Sequence, residues 1–218
     1  MNNWKTYLQI AISLFVIADP IGAIPIFITL TERHSEKDRK RIASVAASSV
    51  ALVLIASLFL GQPLLQFFGI NIASFRVAGG ILIMIMAIAM LQARHSRAHH
   101  APEEAEEAVT KEDAAVVPLA IPLIAGPGAI STIIIYAHQA ITWLDTIALV
   151  IISLVVATSV WSALRLADPI RRLLGTTGIN VVTRLLGLIL AAVAVEFIAT
   201  GLAQLLPGLA GQVLTAPK

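Results

Sequence analysis

Apolar runs long enough to cross a lipid bilayer recur six times in this 218-residue chain, and no other feature restricts its fold as much. A spanning helix needs about 20 mainly apolar residues, and a backbone with unpaired polar groups cannot sit in hydrocarbon. The runs cover roughly 7–31, 42–62, 75–93, 116–138, 144–166 and 185–206. Charged residues make up only 13% of the chain, about half of the roughly 25% found in a soluble domain. The sequence therefore predicts an all-α integral membrane protein with six transmembrane helices. Residues 93–115 are polar and Ala/Glu-rich without apolar periodicity, which reads as a solvated linker. The expected organisation is a three-helix unit over 1–92, the linker over 93–115, a second three-helix unit over 116–206 and a tail over 207–218. Lys5, the apolar run after it and Val16-Ile17-Ala18 imitate a cleaved leader. The run continues to Leu30 and has a counterpart later, so it is expected to remain as the first span.

Orientation follows from Lys and Arg. Arg33, Lys37, Arg39, Lys40 and Arg41 lie after the first span, Arg94, Arg97 and Lys111 in the linker, and Arg165, Arg171, Arg172 and Arg184 between the fifth and sixth spans. These are 12 of the 15 basic residues, all on one face of a six-span arrangement. The positive-inside rule makes that face cytoplasmic and leaves both termini outside.

The two units echo one another. "GINIASFRVAGGIL" (Gly69–Leu82) matches "GINVVTRLLGLIL" (Gly178–Leu190), and "ADPIGAIP" (Ala18–Pro25) matches "AGPGAIS" (Ala125–Ser131). Three spans per unit force the second copy to insert upside down, giving the inverted repeat of secondary transporters, whose sites lie at the midplane where Gly/Pro-interrupted helices face each other.

The interruptions here are Asp19-Pro20 and Gly126-Pro127. Asp caps free N–H groups, and Pro suits the first helical position because its absent N–H is not needed there. Spans one and four are thus expected to break near the midplane, with new half-helices starting near Pro20 and Pro127. Helix N-termini attract anions. In the first half Asp19 caps that end; in the second, Gly126 to Ala129 leave it open for a substrate carboxylate, while Asp19 faces the cationic or proton-bearing part of the substrate. Asp19, Pro20, Gly22, Gly126, Pro127, Gly128, Ser131 and Thr132 form the candidate binding site. The Ser131 and Thr132 hydroxyls can serve either substrate or their own backbone.

Two acids lie inside apolar spans, Asp19 and Glu196, and such acids mark pathways by default. Asp19 aligns with Gly126 and Glu196 with Ile88, so neither is copied in the other half. That asymmetry suits proton coupling; the alternative for Glu196 is a neutral acid bonded to a nearby hydroxyl. Arg76 and Arg184 open spans three and six, either snorkelling to the interface or gating, with Asn71 and Asn180 holding the loops. Pro25, like Pro118 and Pro122, reads as a kink.

Several classes are excluded. There is no cysteine, hence no disulfide or thiol chemistry. The net charge is only +2, with the basic residues in short loops, so no nucleic-acid partner is expected. His95, His99 and His100 stand in a segment without ordered pattern, so no metal site is expected. No nucleophile–base set, phosphate loop or dinucleotide motif is present, so neither enzymatic activity nor a cofactor is expected.

"ADPIGAIPIFITLT", "FGINIASFRVAGGIL", "VPLAIPLIAGPGAIS" and "TGINVVTRLLGLILAAVAVEFI" resemble the MarC family of six-helix bacterial inner-membrane proteins over nearly the whole chain outside linker and tail. Asp19, Pro20, Gly22, Pro25, Gly126, Pro127 and Gly128 match the family pattern. The resemblance implies an all-helical membrane fold, a grouping with the LysE-type exporter superfamily, a multi-pass location in the bacterial inner membrane and a classification as neutral amino acid transporters. The small residues lining both breaks fit a small zwitterion, glycine or alanine, carried by alternating access with H⁺ as coupling ion. The alternatives are export of other metabolites or drugs, which needs a roomier pocket, and a non-transporting membrane scaffold, which needs no midplane acid.

Overall fold

The computed structural model of the chain describes residues 4–92 and 125–206. Among them run seven helices and no strand: α1 (Trp4–Ala18), α2 (Ala23–Leu30), α3 (Glu36–Phe67), α4 (Ile72–Leu91), α5 (Pro127–Gln139), α6 (Trp143–Arg165) and α7 (Ala167–Leu205). By length and composition α3, α4, α6 and α7 can each cross a membrane, and α1 with α2, meeting at 41°, are together long and apolar enough for either one broken span or a re-entrant loop. At 13 residues, α5 is about 20 Å long, short of the hydrocarbon core. Residues 116–124, which would complete the expected fourth span and hold Pro118 and Pro122, lie outside the described residues, as do the linker 93–115, with its three histidines, and the tail 207–218.

Local chemistry sets the helix ends. Ser35 accepts from the Asp38 N–H at 3.2 Å, with Glu36 and Asp38 in the first turn where acids favour the helix dipole. This cap lets α3 begin six residues before its apolar run. α4 starts at Asn71, whose side chain accepts from the Ala73 N–H at 2.8 Å. α6 starts with a reciprocal box in which Thr142 bonds the Asp145 N–H and Asp145 bonds the Thr142 N–H.

The last helix departs from expectation. The sixth span was expected to begin at 185 after a loop containing Gly178-Ile179-Asn180, but helical structure covers those residues, interrupted only at Gly175 (φ 63°, ψ 176°). In the first half the left-handed turn is made by Gly69 of the Gly-Ile-Asn motif itself (φ 65°). In the second half Gly175 makes it, three residues before the motif, so Asn180 is carried inside a helix and holds no loop.

The core is built where α4 lies along α7 and α3 along α6, with α1, α2 and α5 packed between them. Small residues let α4 and α7 touch backbone to backbone: a Cβ on Gly201 would lie 2.9 Å from the Ala73 carbonyl oxygen, and one on Gly80 3.0 Å from that of Ala194. Ile10, Leu14, Ile17, Ile83, Ile133 and Leu149 fill the interior, while Leu52, Phe59, Ile85, Ile151, Val155 and Leu188 point outward as an apolar belt. At one end Arg39 pairs with Asp168 at 2.9 Å, joining the starts of α3 and α7. At the other, the Tyr7 hydroxyl donates to Asp145, joining the starts of α1 and α6.

Candidate functional site

The first break is sharp and held by its own side chain. α1 ends at Ala18, and Asp19 takes φ 39°, a left-handed value that a non-glycine residue rarely adopts. Its Oδ1 accepts from the Gly22 N–H at 3.0 Å, and its carbonyl accepts from Ala23. Residues 19–22 therefore form a turn, and α2 begins at Ala23, three residues later than the expected start at Pro20. The cause is the positive φ at Asp19, which spends one full turn of chain on redirection before helical bonding resumes. Gly22 has ordinary helical angles. It is small for a different reason: a Cβ there would fall 1.9 Å from Asp19 Oδ2. Pro25 is the third residue of α2, within the first turn, where its missing N–H removes no helical bond. It causes no kink, and its carbonyl accepts from Thr29 Oγ1 at 2.9 Å.

The second break has no such cap. Gly126 is extended (φ −64°, ψ 176°), carries no capping side chain, and is followed by Pro127 at the helix start. The end is narrower than the sequence suggested, because the Ala129 and Ile130 N–H groups both donate to the Gly126 carbonyl, at 3.0 and 3.2 Å. With no N–H on Pro127, the Gly128 N–H is the donor of this first turn that remains without a backbone acceptor among the described residues. Gly128 is buried against α1 and α4: a Cβ on it would meet Met86 Sδ at 3.0 Å and Ile17 Cγ2 at 3.3 Å. Ile17 stands two residues before Asp19, and Gly128 two after Gly126. The end of α1 and the start of α5 are thus brought together.

The surrounding hydroxyls divide. Thr132 is fully buried and donates to the Gly128 carbonyl at 2.8 Å, so it serves its own backbone. Ser131, also buried, packs against Gly79 of α4, where an added Cβ would lie 2.8 Å from the serine Cβ.

The remaining candidates lie away from the breaks. Glu196 is exposed on α7 and accepts from Thr200 Oγ1 at 3.4 Å. Asn71 caps α4, and Asn180 Oδ1 is buried in the bundle without a hydrogen-bond partner. Arg184 is exposed, as a snorkelling arginine should be, but Arg76 is only 6% exposed and does not snorkel. Two polar groups were not singled out in the sequence. Asp145, 1% exposed, is signalled by Thr142-Trp-Leu-Asp145, a capping-box spacing inside an apolar run. Tyr136 lies one helical turn beyond Thr132 on α5, within hydrogen-bonding reach of Ser13 and close to both Arg76 and Glu196.

The profile of the MarC family integral membrane proteins matches residues 4–206. The chain is 40% identical over 209 residues to the UPF0056 membrane protein YhcE of Escherichia coli (strain K12), covering 95% of this chain and 96% of that protein. It is likewise 40% identical over 203 residues to the UPF0056 membrane protein BU267 of Buchnera aphidicola, covering 93% and 94%. To YvbG of Bacillus subtilis (strain 168), it is 40% identical over 204 residues, covering 91% and 95%. No solved structure matches the chain.

Proposed function

The chain belongs to the MarC family of integral membrane proteins, and from that premise we propose that it is a secondary transporter of small neutral amino acids such as glycine and alanine. The observation that carries the reading is the pairing of two unlike helix interruptions: the Asp19 turn, closed by its own carboxylate, follows an α1 end whose Ile17 packs against Gly128 at the uncapped start of α5. A zwitterion needs one anion-attracting group and one anionic group. The Gly128 N–H at the positive end of the α5 dipole is suited to the carboxylate. Asp19, half-buried, is suited to the ammonium group or to a coupled proton.

The packing supports an inverted repeat of six spans. Exchanging the expected equivalents, α1–α2 for the α5 region, α3 for α6 and α4 for α7, turns the α3–α5 contact into α6–α1 and the α4–α5 contact into α7 with α1 and α2, and all of these occur. Rocking of one half against the other about the broken helices then gives alternating access. The Arg39–Asp168 end, with its excess of Lys and Arg, is assigned to the cytoplasm and both termini to the outside, which fits a multi-pass protein of the inner membrane.

The test is uptake of labelled glycine or alanine into liposomes containing the full chain, with and without an imposed pH gradient. Uptake above protein-free liposomes that responds to the gradient is expected. Uptake of a bulkier metabolite instead would favour the exporter reading, and no uptake of any amino acid would overturn the proposal.

A further inference from the structure

Arg76 presents a different problem from its counterpart Arg184. It is 6% exposed, its Nε is buried without a hydrogen-bond partner among the described residues, and neither the Arg39–Asp168 nor the Lys40–Glu36 pair involves it. A buried cation without a counter-charge is strongly unfavourable and is retained in a bundle when an anion completes it. Glu196, on α7, is exposed and forms no ion pair with Arg76.

We propose that Arg76 is the centre of a second binding station, for the carboxylate of a small substrate, lying between the midplane break and the Tyr7–Asp145 end of the bundle. The planar guanidinium fork matches a carboxylate. Tyr136 of α5 lies close to it, with Ser13 of α1 within hydrogen-bonding reach of the Tyr136 hydroxyl. The close seat of Ser131 on Gly79 holds α4 against α5, one turn further in. Tyr136 is eight residues beyond Gly128, about 12 Å along α5, so this station is separate from the α5 start. Carboxylate binding at Arg76 stands without transport; its place on a transport path rests on the function proposed above.

The test is thermal unfolding of the full chain in detergent, followed by tryptophan fluorescence, with propionate, ethylamine and alanine as probes. Propionate and alanine are expected to raise the melting temperature of the wild type and ethylamine to leave it unchanged. In Arg76→Met the apparent affinity for propionate should fall about tenfold or more, the loss expected for a charge-assisted pair. The unliganded variant should be at least as stable as the wild type, because an apolar side chain replaces an uncompensated charge. Arg76→Lys should retain part of the response, and it serves as the variant of record if Arg76→Met does not fold. Equal propionate affinity in wild type and variant, or no response of the wild type, would overturn the proposal. So would a stabilisation by phosphatidylglycerol that replaces the propionate response and depends on Arg76. Carboxylate binding without alanine uptake in liposomes would leave this station standing and remove transport; uptake with an unchanged KM in Arg76→Met would do the reverse.

Discussion

The two helix breaks begin from the same sequence idea and end in different structures. At Asp19 the chain turns left-handed, the Asp19 carboxylate closes that turn by accepting from the Gly22 N–H, and Pro25 sits in the first turn of α2. At Gly126 the chain enters α5 with no side chain to cap it, and the Gly128 N–H has no backbone acceptor among the described residues. The first break is self-sufficient and charged; the second is incomplete and uncharged. Matched motifs need not make matched structures, and under the proposed function this mismatch is what addresses the two ends of one zwitterion.

Four substitutions break or sharpen this contrast. Gly22→Ala should have the largest effect: its Cβ would displace the Asp19 carboxylate from the Gly22 N–H. The lost cap should cost about 1–2 kcal/mol, read as a lower melting temperature in detergent, together with loss of uptake. Gly126→Ser gives the second break the cap it lacks. Stability should rise by only about 0.3 kcal/mol, because glycine is itself a fair N-cap, while the apparent affinity for alanine falls about tenfold, or 1.4 kcal/mol, because the serine oxygen takes the place proposed for the substrate. Asp19→Asn keeps an acceptor for the Gly22 N–H, since Asn caps about as well as Asp, so its melting temperature should move by no more than about 0.5 kcal/mol in stability terms. Arg184→Gln, at an exposed position, should shift stability by less than about 0.5 kcal/mol and leave uptake unchanged, in contrast to substitution of Arg76.

The helical membrane class, the Asp19 and Gly126 interruptions and the uncapped start of α5 were legible in the sequence because each follows from local chemistry: apolar run length, Asp before Pro, Gly before Pro. What was not legible depends on other helices. Nothing local says that α2 waits until Ala23, because that follows from the φ of Asp19. Asn71 and Asn180 share a motif, yet the left-handed turn fell on Gly69 in one half and on Gly175 in the other, and only the first asparagine became a cap. Thr132 and Ser131 looked alike until the Gly128 carbonyl took one and Gly79 the other. Arg76 and Arg184 read as equivalent interfacial arginines; only packing of α4 against α5 and α7 separates a buried side chain from an exposed one.

The most direct measurement is gradient-driven uptake of labelled alanine into liposomes containing wild type or Asp19→Asn in parallel, with both proteins first verified as folded by their melting curves. Wild-type uptake that rises with the imposed pH gradient, and its fall to the protein-free level in the folded Asp19→Asn variant, is the predicted result. Equal, gradient-responsive uptake by both proteins, or none by either, would contradict a transport site built on the Asp19 break.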